Sequence, residues 1–177
     1  MSRHAGRALV LRRFPFGESS LVVHLLTDEG RRVHLVARGA HRPKSRYAGL
    51  LDLFDTLDLR WTLRDGAKGG GMGELRAGSL ATRRRALSGD LERYRTALAV
   101  LELAGRAARE EAAEPGLFEL VEGTLDRLAA PDLAPTVELA TFDLALLDLL
   151  GLAPALEVCA SCAGAAEEVA QGRAAFS

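Results

Sequence analysis

The chain has 177 residues, 48% of them apolar and 27% charged, with a formal net charge of −1. That length and balance suit one or two globular domains with a sizeable core and argue against intrinsic disorder. No apolar run approaches the ~20 residues of a membrane span, the N-terminal MSRHAGRALV lacks an apolar h-region, and two cysteines do not make a disulfide framework, so the expectation is a cytoplasmic protein without membrane contact.

The small net charge conceals an asymmetry. Residues 1–95 hold 19 Lys/Arg and 10 Asp/Glu, a balance of +9, and residues 96–177 hold 4 and 14, a balance of −10. A basic module points to a polyanion, and an acidic helical module to a solvated face or a surface that repels nucleic acid.

In chain order, RALVLRRF (Arg7 to Phe14) predicts a first strand, broken at Phe14-Pro15-Phe16-Gly17, where Pro fixes φ and Gly permits a turn. SSLVVHLLT (Ser19 to Thr27) predicts a second strand. Asp28-Glu29-Gly30 predicts a hairpin turn into a third, antiparallel strand from Arg31 to Ala37. There Val33, Leu35 and Ala37 alternate with Arg32, His34 and Arg38, the pattern of a sheet with one dry and one wet face. This register sets His24 opposite or near His34. Two His without a third ligand favour a polar patch over a metal pair. After Gly39 comes a loop with His41, Arg42, Pro43, Lys44 and Arg46, so no acid occurs from Arg31 to Tyr47.

LLDLFDTLDLRWTL (Leu50 to Leu63) alternates again and predicts a long, curved fourth strand, with Leu51, Leu53, Leu57, Leu59 and Trp61 on one face and Phe54 on the wet face. DGAKGGGMG (Asp65 to Gly73) matches neither a Walker loop nor GxGxxG and reads as a flexible hairpin tip. ELRAGSL (Glu74 to Leu80) supplies a fifth short strand. Five strands in about 75 residues with a basic face fit a small barrel of the OB type.

The apolar period then changes. Ser88 or Asp90 caps a helix carrying Leu91, Tyr94, Leu98 and Leu101. Pro115-Gly116 separates it from a second, with Leu117, Leu120, Val121, Leu125 and Leu128. Pro135 opens a third, about Thr136 to Leu150, apolar over much of its circumference and so expected at the centre of the helical module. ATRRRALS, near residues 81–88, marks the module boundary and adds Arg83, Arg84 and Arg85 to the basic tally. Cys159 and Cys162 form a CxxC, half of a zinc knuckle; free thiols and a redox pair remain open as alternatives.

ARGAHRPKSRYAG (Ala37 to Gly49), FDLALLDLLGLAP (Phe142 to Pro154), VCASCAG (Val158 to Gly164) and the closing AAFS occur in an order that resembles the RecO family of recombination mediator and DNA repair proteins. The resemblance spans nearly the whole chain. It implies an α+β chain: an OB-fold domain (1–81), an α-helical bundle domain (82–156) and a partial zinc-ribbon-like CxxC element (157–177). It further implies binding of single- and double-stranded DNA, annealing of complementary strands, action with RecR, contact with single-strand-binding protein and loading of RecA, at the nucleoid. Family members with zinc carry a second cysteine pair downstream. None follows Cys162 here, so the chain is shortened, or the metal is absent or completed by another chain.

The residues expected to hold phosphates are Arg31, Arg32, Arg38, Arg42, Lys44 and Arg46, aided by Arg12, Arg13, Arg83, Arg84 and Arg85. Phe14, Phe16 and Tyr47 sit beside basic residues and are open between stacking and packing. An enzyme is not expected: there is no nucleophile elbow, phosphate loop, HExxH or complete metal cluster, and Asp52, Asp55 and Asp58 read as strand-surface and edge charges. The alternative is a protein-interaction adaptor built on the helical module.

Overall fold

A computed structural model describes residues 1–63 and 71–156. Five strands, β1 (Ser2–Phe16), β2 (Ser20–Thr27), β3 (Arg32–Ala37), β4 (Thr56–Leu63) and β5 (Gly73–Thr82), close into a barrel in the order β1-β2-β3-β5-β4. Four helices follow: α1 (Ala86–Gly89), α2 (Leu91–Ala107), α3 (Leu117–Ala129) and α4 (Pro135–Leu149).

The barrel is antiparallel except where β3 meets β5, and that parallel contact is short, Leu35 with Gly73 and Val36 with Glu74. β1 is long because it serves two neighbours: Ser2 to Leu9 pair with β4, and Ala8 to Phe16 with β2. The predicted break at Pro15 does not occur. Pro15 pairs with Leu21 in the part of β1 that has no β4 neighbour, where a missing amide donor is tolerated. Gly30 makes the β2–β3 turn at φ 75°, and a Cβ there would collide with the Glu114 carbonyl oxygen, so the hairpin docks tightly on the segment before α3.

Two cores share the β1 strand. Ala8 and Val10 point into the barrel with Val23, Leu25, Leu35, Leu57, Leu59 and Leu75. Leu9 and Leu11 point outward into a second core with Leu26, Phe54, Val100, Phe118, Val121, Leu125 and Phe142. The run ALVL is thus apolar without alternation because both faces of the strand are covered.

The fourth strand is shorter than its alternation predicts. Turns occupy the segment after Gly49 (φ 65°), and β4 begins at Thr56. Phe54 does not face water: it adopts φ 72°, is 2% exposed and meets Tyr94 edge-on at 5.4 Å. α2 starts at the expected Asp90, whose side chain accepts from the Arg93 amide. The Arg93 guanidinium in turn donates to the carbonyls of Leu128 (2.6 Å) and Pro131 (2.8 Å), collecting acceptors at the end of α3. α4 is not central. Only Glu138, Phe142 and Leu146 are buried, and Val137, Leu144 and Leu147 are exposed.

Arg84 joins barrel to helices and is 4% exposed. Its amide donates to Asp55 Oδ1 (3.1 Å), Nη1 to the Phe54 carbonyl (2.7 Å) and Thr56 Oγ1 (3.0 Å), and Nε to Asp126 on α3 (2.6 Å). Removing a buried charge that satisfies this many acceptors should cost about 3 kcal/mol or more. Arg84→Ala is expected to lower the urea midpoint accordingly, whereas Arg85→Ala, at an exposed neighbour, should change stability by less than about 0.5 kcal/mol.

Candidate nucleic-acid interface

The basic residues anticipated as one patch fall into three groups. The first is the β3–β4 loop. Arg38, Arg42, Lys44 and Arg46 are all exposed there. Arg38 approaches Glu74 at 3.4 Å, and Arg46 lies over the Tyr47 ring at 4.9 Å. Arg42 and Lys44 have no acidic partner among the described residues. The loop is held by backbone: the His41 amide donates to the Ser19 carbonyl (2.9 Å) and the Gly39 amide to Ser20 Oγ (3.3 Å), which brings it against the β1–β2 turn. Tyr47 is buried rather than available for stacking. Its hydroxyl donates to the Leu75 carbonyl at 2.7 Å, and burial pushes its pKa up.

The second group lies at the other end of β3, beside α2. At ~3.3 Å per residue, six residues separate Arg32 from Ala37 by about 16 Å. Arg32 donates to the Gly105 carbonyl (2.8 Å) and sits 3.5 Å from Glu110; Arg31 sits 3.6 Å from Glu29. Arg12 pairs with Glu102, which Arg106 also reaches, and these hydrogen bonds hold the Glu102 carboxyl below its ordinary range. The third group lies at the barrel–helix junction. Arg13 donates to Asp52 (2.7 Å) and Arg83 to Asp55 (3.0 Å), while Arg85 is exposed. Arg84 departs from its expected role: burial and its four acceptors keep it from any phosphate. Asp55, expected at a strand edge, is buried between Arg83 and Arg84.

Cross-strand pairing lays three rungs over the outer face of β1, β2 and β3: Arg12 with His24 and His34, Phe14 with Val22 and Val36, and Phe16 with Ser20. Phe14 is 43% exposed and Phe16 53%. A cleft of about 450 Å³ joins Phe16, Ser20 and Val36 to Arg38 and Glu74, so the exposed phenyl and the loop guanidinium share one space. The sequence left these phenylalanines undecided; the available signal was their alternation across Pro15 beside Arg12 and Arg13.

His24 and His34 stack at 3.8 Å and 22°. Among the described residues no group of three or more His, Cys, Asp or Glu is placed to hold a metal. Cys159 and Cys162 lie outside the described residues.

Residues 1–83 match the family model described as Recombination protein O N terminal, and residues 88–171 the one described as Recombination protein O C terminal. The proteins named DNA repair protein RecO from Myxococcus xanthus and Anaeromyxobacter dehalogenans are each 36% identical to this chain. The first match covers 95% of this chain and 67% of the relative, the second 92% and 62%. The namesake from Halalkalibacterium halodurans is 30% identical over 90% of this chain and 60% of its own length. The chain thus spans between 60 and 67% of these relatives.

Both histidines of the stack have pKa values lowered from 6.5: burial is the main cause for each, and Arg32 adds to it. For His24 the His34 ring and Arg12 lower it further, while Glu110 opposes the shift at both rings. The unfolded chain therefore takes up protons at higher pH than the folded one. Their contribution to stability is complete above 6.5 and is lost as pH falls below it. The urea midpoint should drop from pH 7 to pH 5 (about one and a half units beneath the ordinary His range), and H24Q/H34Q should flatten that drop relative to wild type.

Proposed function

The chain belongs to the RecO family of DNA repair and recombination proteins, and on that premise we propose that it is a non-enzymatic mediator that holds DNA by its phosphates. In this reading the barrel is an OB-fold, a reading supported by the strand order β1-β2-β3-β5-β4 and the parallel β3–β5 closure. The observation that carries the reading is the exposed loop whose Arg42 and Lys44 have no acidic partner among the described residues, next to exposed Phe16. Arg38, Arg42, Lys44 and Arg46 neutralise successive phosphates. Phe14 and Phe16 offer faces on which bases of a single strand stack, worth ~1–3 kcal/mol each.

Contacts to phosphate carry no sequence information, so single and double strands of any sequence are accepted. A protein that screens backbone charge and leaves base edges free favours annealing of complementary strands. Action with RecR, contact with single-strand-binding protein and loading of RecA, in the cytoplasm at the nucleoid, are proposed on family membership. The exposed Val137, Leu144 and Leu147 of α4 support docking of a protein partner, the feature that also favours the adaptor reading. Cys159 and Cys162 would supply two of the four ligands of a structural zinc, a proposal that rests on their spacing. The engagement of Asp55 by Arg83 and Arg84 weighs against a nuclease, and DNA incubated with the protein and magnesium should stay intact.

With about five phosphates contacted on a single strand, log affinity should fall against log salt with a slope of roughly −3 to −4. R38E/R42E/K44E should retain the wild-type circular dichroism spectrum, flatten that slope and abolish annealing. Annealing at the wild-type rate, or affinity indifferent to salt, would overturn the reading, the latter in favour of the adaptor.

A further inference from the structure

We propose that the cleft between the outer face of β1, β2 and β3 and helix α2 is a phosphate subsite of the DNA-binding surface, occupied in the free chain by the Glu102 carboxylate, which a phosphodiester displaces. The inference rests on the DNA-binding reading above and extends that same surface. The cleft has a volume of about 340 Å³, and its polar lining is Arg12, His24, Arg32, His34, Glu102 and Arg106. Strand register sets Arg12 opposite His24 and His24 opposite His34. Arg32 is two residues from His34 on β3 and so shares its face. Glu102 and Arg106 lie four residues apart on α2 and so share a face of that helix.

Glu102 is held as a phosphate would be held. One carboxylate oxygen accepts from Arg12 Nη2 and the other from Arg106 Nε at 3.2 Å. Two guanidinium groups converging on one oxyanion suit a phosphate equally well. Arg12 and Arg106 are exposed and Glu102 is partly so. Ion pairs this open to water contribute little to stability, so an incoming anion can exchange with the carboxylate while the fold stays intact. Arg32 is anchored independently, donating to the Gly105 carbonyl at 2.8 Å, and stays in place when Glu102 leaves. Glu110 lies 3.5 Å from both Arg32 and His34, so three guanidinium groups face two carboxylates. Both rings are uncharged at neutral pH, burial being the main cause. When Glu102 swings aside, the three cations face Glu110 alone.

Phe14 joins this cleft to the surface already assigned to DNA. Its ring meets His24 edge-on at 5.2 Å. It also stands two residues from Arg12 on β1, roughly 7 Å along the strand and on the same face. A base stacked on Phe14 therefore sets a neighbouring phosphate toward Arg12 and Arg106. A small free anion would gain the guanidinium contacts without the phenyl. Glu102 competes for the same donors, so the chain binds a strand less tightly than its cations alone would allow. A protein that brings strands together must also release the duplex, and a carboxylate that re-enters as the phosphate leaves serves that release.

The test is labelled oligothymidylate titrated into the full chain and followed by anisotropy at several salt concentrations. E102Q should bind at least about threefold more tightly and steepen the log–log salt slope by about 0.7, the equivalent of one phosphate contact on a single strand. Glu92 is exposed and lies ten residues from Glu102, about 15 Å along α2 and beyond the reach of charge at ordinary salt. E92Q removes the same charge and should stay within about 1.5-fold of wild type. R12A/R106A should weaken binding, and R12A/R106A/E102Q should bind no more tightly than R12A/R106A, because the gain passes through those two guanidinium groups. No tightening by E102Q, an equal tightening by E92Q, or a gain that persists in R12A/R106A/E102Q overturns the subsite alone, provided R38E/R42E/K44E still loses affinity. Absence of any anisotropy change with the wild-type chain overturns the DNA-binding reading and this inference with it.

Discussion

Arg84 carries a charge in a site that water does not reach, and such a charge persists only where acceptors surround it; Nε and Nη1 are met, and Nη2, without a hydrogen bond, faces Glu122 at 3.7 Å. Here the acceptors come from both modules: the Phe54 carbonyl and Thr56 from the barrel, Asp126 from α3. Glu122 of α3 draws the seam tighter, accepting from Thr56 Oγ1 at 2.8 Å and from Arg7 while lying 3.7 Å from Arg84. The left-handed backbone of Phe54 is unfavourable for a bulky residue. Its carbonyl is gripped by Arg84 and its ring by Tyr94, so the seam and the shared core hold that conformation together. The orientation of helices on barrel follows from this contact, and with it which barrel faces stay open to solvent.

That seam changes the meaning of the charge asymmetry. A basic barrel and an acidic helical module look like two surfaces with separate partners. Much of the opposition is instead spent inside the molecule: Arg7 and Arg84 on Glu122, Arg12 on Glu102, Arg32 near Glu110. What remains uncompensated is positional. The β3–β4 loop is exposed and held against the β1–β2 turn, and the β1–β4–β5 cleft is lined by barrel residues alone. Both keep cations that the acidic helices do not reach.

The sequence was most legible where one period ruled. Alternation in β2 and β3 placed His24 opposite His34, and Asp90, Pro115-Gly116 and Pro135 marked helix limits that the structure respects. It misled where two structures share a pattern. Leu51, Leu53 and Leu57 alternate as a strand does, yet the left-handed residues Gly49 and Phe54 turn the chain before β4 begins. Arg83, Arg84 and Arg85 are chemically identical in the sequence, and only tertiary register decides that the middle one is buried. The apolar circumference of α4 suggested a central helix, but composition does not say which of its apolar positions a neighbour covers: Phe142 and Leu146 are buried, and Val137, Leu144 and Leu147 are exposed. The arginines of the β1–β4–β5 cleft were missed because Arg3, Arg60 and Arg76 are far apart in sequence and meet only through strand pairing.

The β3–β5 contact has a kinetic side. It closes the barrel with two residue pairs, while β1 and β2 share eight, and it joins strands separated by the whole β3–β4 loop and β4. A short parallel closure of high sequence separation is expected to form last in folding and to open first in the native state. Amides near Leu35, Val36 and Gly73 should therefore exchange with solvent through a local opening well below the global unfolding free energy. Phe16, Arg38 and Glu74 surround this gap. A strand bound across it would act as a clasp, slowing exchange at the barrel's weakest closure without touching its long ladders.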